Sequence, residues 1–142
     1  MISMLKKPIN RNESYGKHIP PSDGGTTALG SSATNGDTLP KMAQWSTMPE
    51  RLAEVSQMAK KLKGSNLKAT LTNIDRFFKE NFGYLEDSFS REELRSLPLM
   101  WKIQAGDCDD FATAIGAMLN VLGIPDFYRV TKYERDQDDY QH

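Results

Sequence analysis

The chain has 142 residues, 38% of them hydrophobic, with a formal net charge of -1 and a single cysteine. This length holds about one domain, and the near-neutral charge makes no general case for nucleic acid or an anionic membrane as partner. One cysteine excludes an intramolecular disulfide scaffold and suits a reducing compartment.

Charge is unevenly spread. Met1 to Met48 carries five basic and three acidic residues (net +2), Pro49 to Ala105 ten and eight (net +2), and Gly106 to His142 three and eight (net -5). The N-terminus, Met1-Ile-Ser-Met-Leu-Lys-Lys-Pro, lacks the apolar run of an export signal, and no stretch is long enough to span a membrane. A cytoplasmic location is expected. Residues 8–40 read as non-globular: from Ile19 to Asp37 they are rich in Gly, Pro, Ser, Thr and Asn. Such a segment buries too little surface to offset its ordering entropy. Residues 1–46 are therefore expected to form an extended arm, either unstructured or ordered along a partner surface.

Helical signals begin near Thr47. Pro49 suits a first turn, followed by Glu50, with Leu52, Val55, Met58, Ala59 and Leu62 at helical spacing, lysines in the last turn and Gly64 to end it. A second helix is expected from Asn66 to Asn81, its apolar face made of Leu67, Leu71, Ile74, Phe77 and Phe78, with Gly83 as its stop. Ser90-Arg-Glu-Glu93 has the capping-box pattern and predicts a short helix. A third long helix is expected from Asp107 to Leu122, closed by Gly123 and Pro125, with Phe111, Ile115, Met118, Leu119 and Leu122 facing the core. Phe127 to Tyr133 is aromatic and β-branched and reads as a strand. Helices segregated ahead of strand predict an α+β domain over residues 47–142. One strand makes no sheet alone, so the domain reads as incomplete in its later strands, or as completed by another chain.

The informative segment is Gly106-Asp-Cys-Asp-Asp-Phe-Ala112. It sets Cys108 in the first turn of an amphipathic helix, where unpaired backbone N–H groups and the helix dipole favour a thiolate or an oxyanion. Asp107, Asp109 and Asp110 act against that, because nearby negative charge raises a thiol pKa. The residues alone leave Cys108 open as a nucleophile or as a small buried hydrophobe. The three aspartates lack the alternation and distal Glu of a calcium loop, so no metal is assigned. His18 falls in the low-complexity stretch and reads as an exposed residue.

The string Gly106-Asp-Cys-Asp-Asp-Phe-Ala, with Leu122-Gly-Ile-Pro125 and Phe127-Tyr-Arg-Val130 after it, resembles the core signature of the transglutaminase-like (papain-like cysteine protease) superfamily in its small bacterial and phage members. Asp87 to Lys102 resembles the run that precedes the motif, and the likeness extends over Leu67 to His142. It implies a cysteine–histidine–aspartate triad without a cofactor. Cys108 matches the nucleophile, and His142 is the candidate base by its place after the cysteine helix. The orienting aspartate has no counterpart, since Asp136, Asp138 and Asp139 precede the histidine. A terminal histidine is otherwise a solvated chain end. Trp101, Gly106, Asp107 and Asp109 are the candidate binding residues. For Trp101 the resemblance implies an active-site wall, against the alternative of a core aromatic.

Two functions stay open: thiol-dependent hydrolysis or transfer at an amide or ester, and a catalytically silent fold kept for assembly. A phage virion component is one form of the second, and would place the protein in the virion. Either implies a protein or peptide as substrate or partner, within an assembly or oligomer.

Overall fold

The computed structural model describes residues 11–21, 26–30, 35–85 and 92–126. Its class is α+β, mostly helical with short paired strands. The elements that position the site are α2 (Pro49–Leu62), α3 (Leu67–Asn81), β2 (Gly83–Tyr84), β3 (Glu92–Arg95), α4 (Leu97–Ile103), β4 (Ala105–Gly106) and α5 (Cys108–Val121). Ahead of them lie a 3-10 turn at Glu13–His18, β1 (Thr26–Gly30) and α1 (Asn35–Trp45). Among the described residues no helix is long and apolar enough to cross a membrane.

α2 starts on Pro49 and buries Val55, Met58, Ala59 and Leu62. A proline costs nothing there, because its missing N–H has no acceptor at a helix start. α3 is capped by Asn66, whose side chain accepts from Ala69 N at 2.8 Å. It buries Thr70, Ile74, Phe77, Phe78 and Asn81, while Leu67 and Leu71 are 56% and 42% exposed. Two of the five residues expected on its apolar face are thus outside. Thr70 turns inward instead, its hydroxyl donating to Asn66 O and accepting from Gly64 N. That pair closes the α2–α3 turn and sets the rotation of the helix.

α5 is the central helix and packs most extensively on α2. Its most buried face is Asp110, Thr113, Ala114, Ala117 and Met118, whereas Phe111, Ile115 and Leu122 are half-buried. The large residues suggested one apolar stripe. The structure buries the small-residue face as well, because Ala114 and Ala117 let α2 come close, and a helix that is apolar nearly all round sits between neighbours. Gly123, at φ +71°, ends the helix in the left-handed conformation that glycine adopts without strain.

The helix expected from Ser90 is a strand at Glu92–Arg95, antiparallel to β1, with Thr26 opposite Arg95 and Thr27 opposite Leu94. Leu94 is fully buried between half-buried Glu93 and Arg95, the period-2 pattern of a strand. The helix begins one step later, with the Ser96 hydroxyl accepting from Leu99 N. Pairing with a strand more than sixty residues away outweighs the local capping signal. β2 runs parallel to β4, pairing Tyr84 with Gly106.

The segment read as non-globular carries ordered contacts. Arg11 Nη1 donates to Trp101 O at 2.6 Å, and its guanidinium lies 3.6 Å from the Trp101 ring centroid. Asn12 N donates to the buried Asn81 Oδ1, Tyr15 meets Phe77 edge-on, and Ile19 is buried in the main core. Met42 and Trp45 of α1 form a second small core with Leu94. Composition counts only what a segment can bury by itself; these residues bury against surfaces made by α3, α4 and β3. The strand expected at 127–133 lies outside the described residues.

Candidate functional site

The site is built on the turn from β4 into α5. Gly106 is required there by space: an added Cβ would lie 2.5 Å from Met100 Sδ and 3.2 Å from Asp110 Cβ. Asp107 then caps α5, its carboxylate accepting from Asp110 N at 3.0 Å. Asp110 reciprocates, accepting from Asp107 N at 3.1 Å. This is a capping box closed by two aspartates. Asp110 Oδ1 also accepts from Arg95 N at 2.8 Å, and its Oδ2 pairs with Arg95 Nη1 at 2.7 Å. Burial pushes the Asp110 carboxyl above the ordinary carboxylate value, with the Arg95 guanidinium and the two backbone N–H groups opposing it.

Cys108 sits half-buried between the two capping residues. Its thiol is directed at Asp109 Oδ1, 3.8 Å away, and is also hydrogen-bonded by the Tyr84 side chain of β2. Burial, then the charges of Asp109 and Asp107, push its pKa up to about 12; only Tyr84 pulls it down. At neutral pH Cys108 is a thiol.

Of the candidate residues, Gly106, Asp107, Cys108 and Asp109 lie together. The Trp101 ring stacks with Phe77, meets Phe82 edge-on and carries Arg11 over it. His142 lies outside the described residues. His18 is half-buried on the 3-10 turn rather than exposed, since Ile19 beside it is drawn into the core. Among the described residues no group of three or more His, Cys, Asp or Glu could hold a metal ion. The carboxylates of Asp107 and Asp110 are turned to the helix end instead. An open groove of about 490 Å³ lies at the other end of α5, lined by Leu39, Ala43, Thr47, Asn120 and Asp126, and plays no part in the thiol's surroundings.

Residues 53–142 match a protein-family model described as a transglutaminase-like domain. The chain belongs to this family. The match covers more than half of the sequence and includes the whole Cys108 turn, while Arg11, Ile19, β1 and α1 lie ahead of it. No curated protein and no solved structure matches the chain. The transglutaminase-like region thus holds Cys108, Tyr84, Arg95 and Asp110 together. Tyr84 and Arg95 carried no sequence signal, being 24 and 13 positions from the cysteine. Asp110 was visible as a flanking charge and as part of the motif, but not as the partner of Arg95.

The raised thiol pKa has a stability consequence. Above about pH 9 an unfolded chain releases its thiol proton while the folded chain still holds it. The stability from this group is present in full below that pH and is lost as pH rises toward 12. Wild type is therefore expected to lose up to about 1 kcal/mol per pH unit more than Cys108→Ala on the alkaline side. Urea midpoints of both proteins between about pH 8 and pH 10 check this; parallel curves would contradict it.

Proposed function

We propose that the domain performs thiol-dependent acyl transfer through Cys108. The sulfur attacks an amide or ester carbonyl, the amine or alcohol leaves, and a thioester links the acyl group to Cys108. Water or a second amine then takes the acyl group and frees the thiol. The observation that carries this reading is the seat of Cys108 in the first turn of α5 in a transglutaminase-like chain. Backbone N–H groups at a helix start lack intrahelical acceptors and suit the oxyanion of the tetrahedral intermediate.

The proton of Cys108 leaves during the attack, since no thiolate rests at neutral pH. His142 is the proposed base: it takes that proton and returns it to the leaving group. The Tyr84 side chain supports the developing thiolate. Full-length wild type with peptide amides and aryl esters is expected to give an acyl adduct on Cys108 by intact mass, and Cys108→Ala to fall to the background rate. Unchanged turnover in Cys108→Ala overturns the proposal.

One observation favours a second reading. Burial and two carboxylates all oppose ionisation of Cys108, which suits a domain kept for binding a protein partner in an assembly. Under that reading no acyl adduct forms, and Cys108→Ala matches wild type in assembly state by sedimentation.

A further inference from the structure

Asp110 is completely buried, and its carboxylate accepts from three donors on two elements: Arg95 N, Arg95 Nη1 and Asp107 N. A helix cap needs a side-chain acceptor and no cation from a neighbouring strand. Asp107 and Asp110 already satisfy each other. Arg95 adds a tether from this first turn to β3, which is itself held by β1, with Thr26 opposite Arg95. Cys108 lies between the two clamped residues, so fixing them fixes its backbone and the direction of its Cα–Cβ bond.

We propose that Arg95, acting through Asp110, is a positioning residue for Cys108: the ion pair holds the first turn of α5 so that the thiol stays half-buried beside Tyr84. The purpose of that placement rests on the acyl-transfer reading above. Among the described residues, the charged and titratable groups around it include Asp107 and Asp109 on either side of the cysteine, Tyr84 from β2, and Arg51 and Glu54 of α2, which line one small cavity with Arg95. Releasing the turn lets water reach the sulfur, removing the burial that opposes its ionisation.

The test is carboxamidomethylation of Cys108 by iodoacetamide in the full chain, followed by intact mass from about pH 7 to about pH 10, with thermal unfolding of the same samples. Arg95→Gln removes the charge; Arg95→Lys keeps it without the planar fork. Arg95→Gln is expected to react at least about tenfold faster than wild type near pH 8, since each unit fall in thiol pKa raises the thiolate fraction about tenfold. Its pH profile moves to lower pH, and Arg95→Lys lies between. A profile superimposable on wild type in a variant whose Tm has dropped would show Arg95 to be merely structural and overturn the proposal. If Arg95→Gln loses cooperative unfolding, Arg95→Lys is read by the same criteria. Amide exchange in wild type adds a check that needs no variant: the Asp107 and Asp110 N–H groups are expected to be protected like the interior of α5, and immediate exchange counts against the clamp. Alkylation needs no substrate. Absence of turnover in wild type therefore sinks the acyl-transfer reading and leaves this comparison standing.

Discussion

Asp110→Ala is expected to lower stability by about 3–5 kcal/mol, the usual cost of removing one partner of a buried ion pair. The substitution strips three donors of their acceptor at once: Arg95 Nη1, Arg95 N and Asp107 N. The Arg95 side chain is only 11% exposed, so its charge gains little water in exchange. Part of the loss belongs to helix capping, worth about 1 kcal/mol; the larger part is the buried ion pair with Arg95 and the Arg95 N and Asp107 N donors that lose this acceptor. Folded domains hold about 5–15 kcal/mol in all, so this one carboxylate accounts for a large share of the total. The double variant Asp110→Ala/Arg95→Met is expected to recover some of the loss, because it removes the buried guanidinium together with the carboxylate it pairs with. Urea unfolding at neutral pH measures both. A single variant within about 1 kcal/mol of wild type would mean that the pair contributes little beyond its capping bonds.

Phe77→Ala should cost a similar amount, about 3–5 kcal/mol, for a different reason. Phe77 is 2% exposed and lies at the centre of an aromatic cluster, with ring centroids of Phe78, Tyr15, Phe82 and Trp101 at 5.1, 5.3, 5.5 and 6.4 Å. Three of those four contacts are edge-on, the arrangement in which ring quadrupoles attract. Truncation removes the transfer energy of the ring and leaves a cavity bounded by stiff aromatic neighbours that collapse poorly. Because Tyr15 and Trp101 both rest on Phe77, the variant should also loosen the N-terminal turn. The near-UV circular dichroism of Trp101 is expected to weaken with the fall in urea midpoint. A loss below about 1.5 kcal/mol would show that the cluster repacks as freely as it does for a volume-conserving swap.

The long helices were legible residue by residue. Pro49, Asn66 and Asp107 mark the starts of α2, α3 and α5, and Gly123 marks an end. These signals are local: a cap or a stop acts within about one turn of backbone, so the sequence around it is sufficient. The Gly-Asp-Cys-Asp-Asp-Phe string also placed the chain in its family, and the family match confirms that placement.

Where local signals competed with distant partners, the distant partners prevailed. Ser90-Arg-Glu-Glu93 has a capping-box spacing, yet Glu92–Arg95 pairs with Thr26–Gly30 and buries Leu94 completely. Ile19 lies in a stretch whose composition suggests disorder, yet it joins the main core cluster that residues of α2, α3, α4 and α5 build. Leu71 has the spacing of a core residue, yet Thr70 takes the inward position through its bonds to the Gly64 turn.

The sequence by itself determined the α+β class, the three long helices and the start of a helix at Cys108. Propensity, capping and periodicity are properties of neighbouring residues. Only the tertiary structure decided the state of the thiol. In the sequence the three flanking aspartates opposed ionisation of the thiol, and nothing showed which of them would turn away from it. In the fold Asp110 turns away to Arg95, Tyr84 arrives from a parallel strand, and burial becomes the largest influence on the sulfur. Desolvation depends on what the whole chain brings to a point, and no window of sequence contains it.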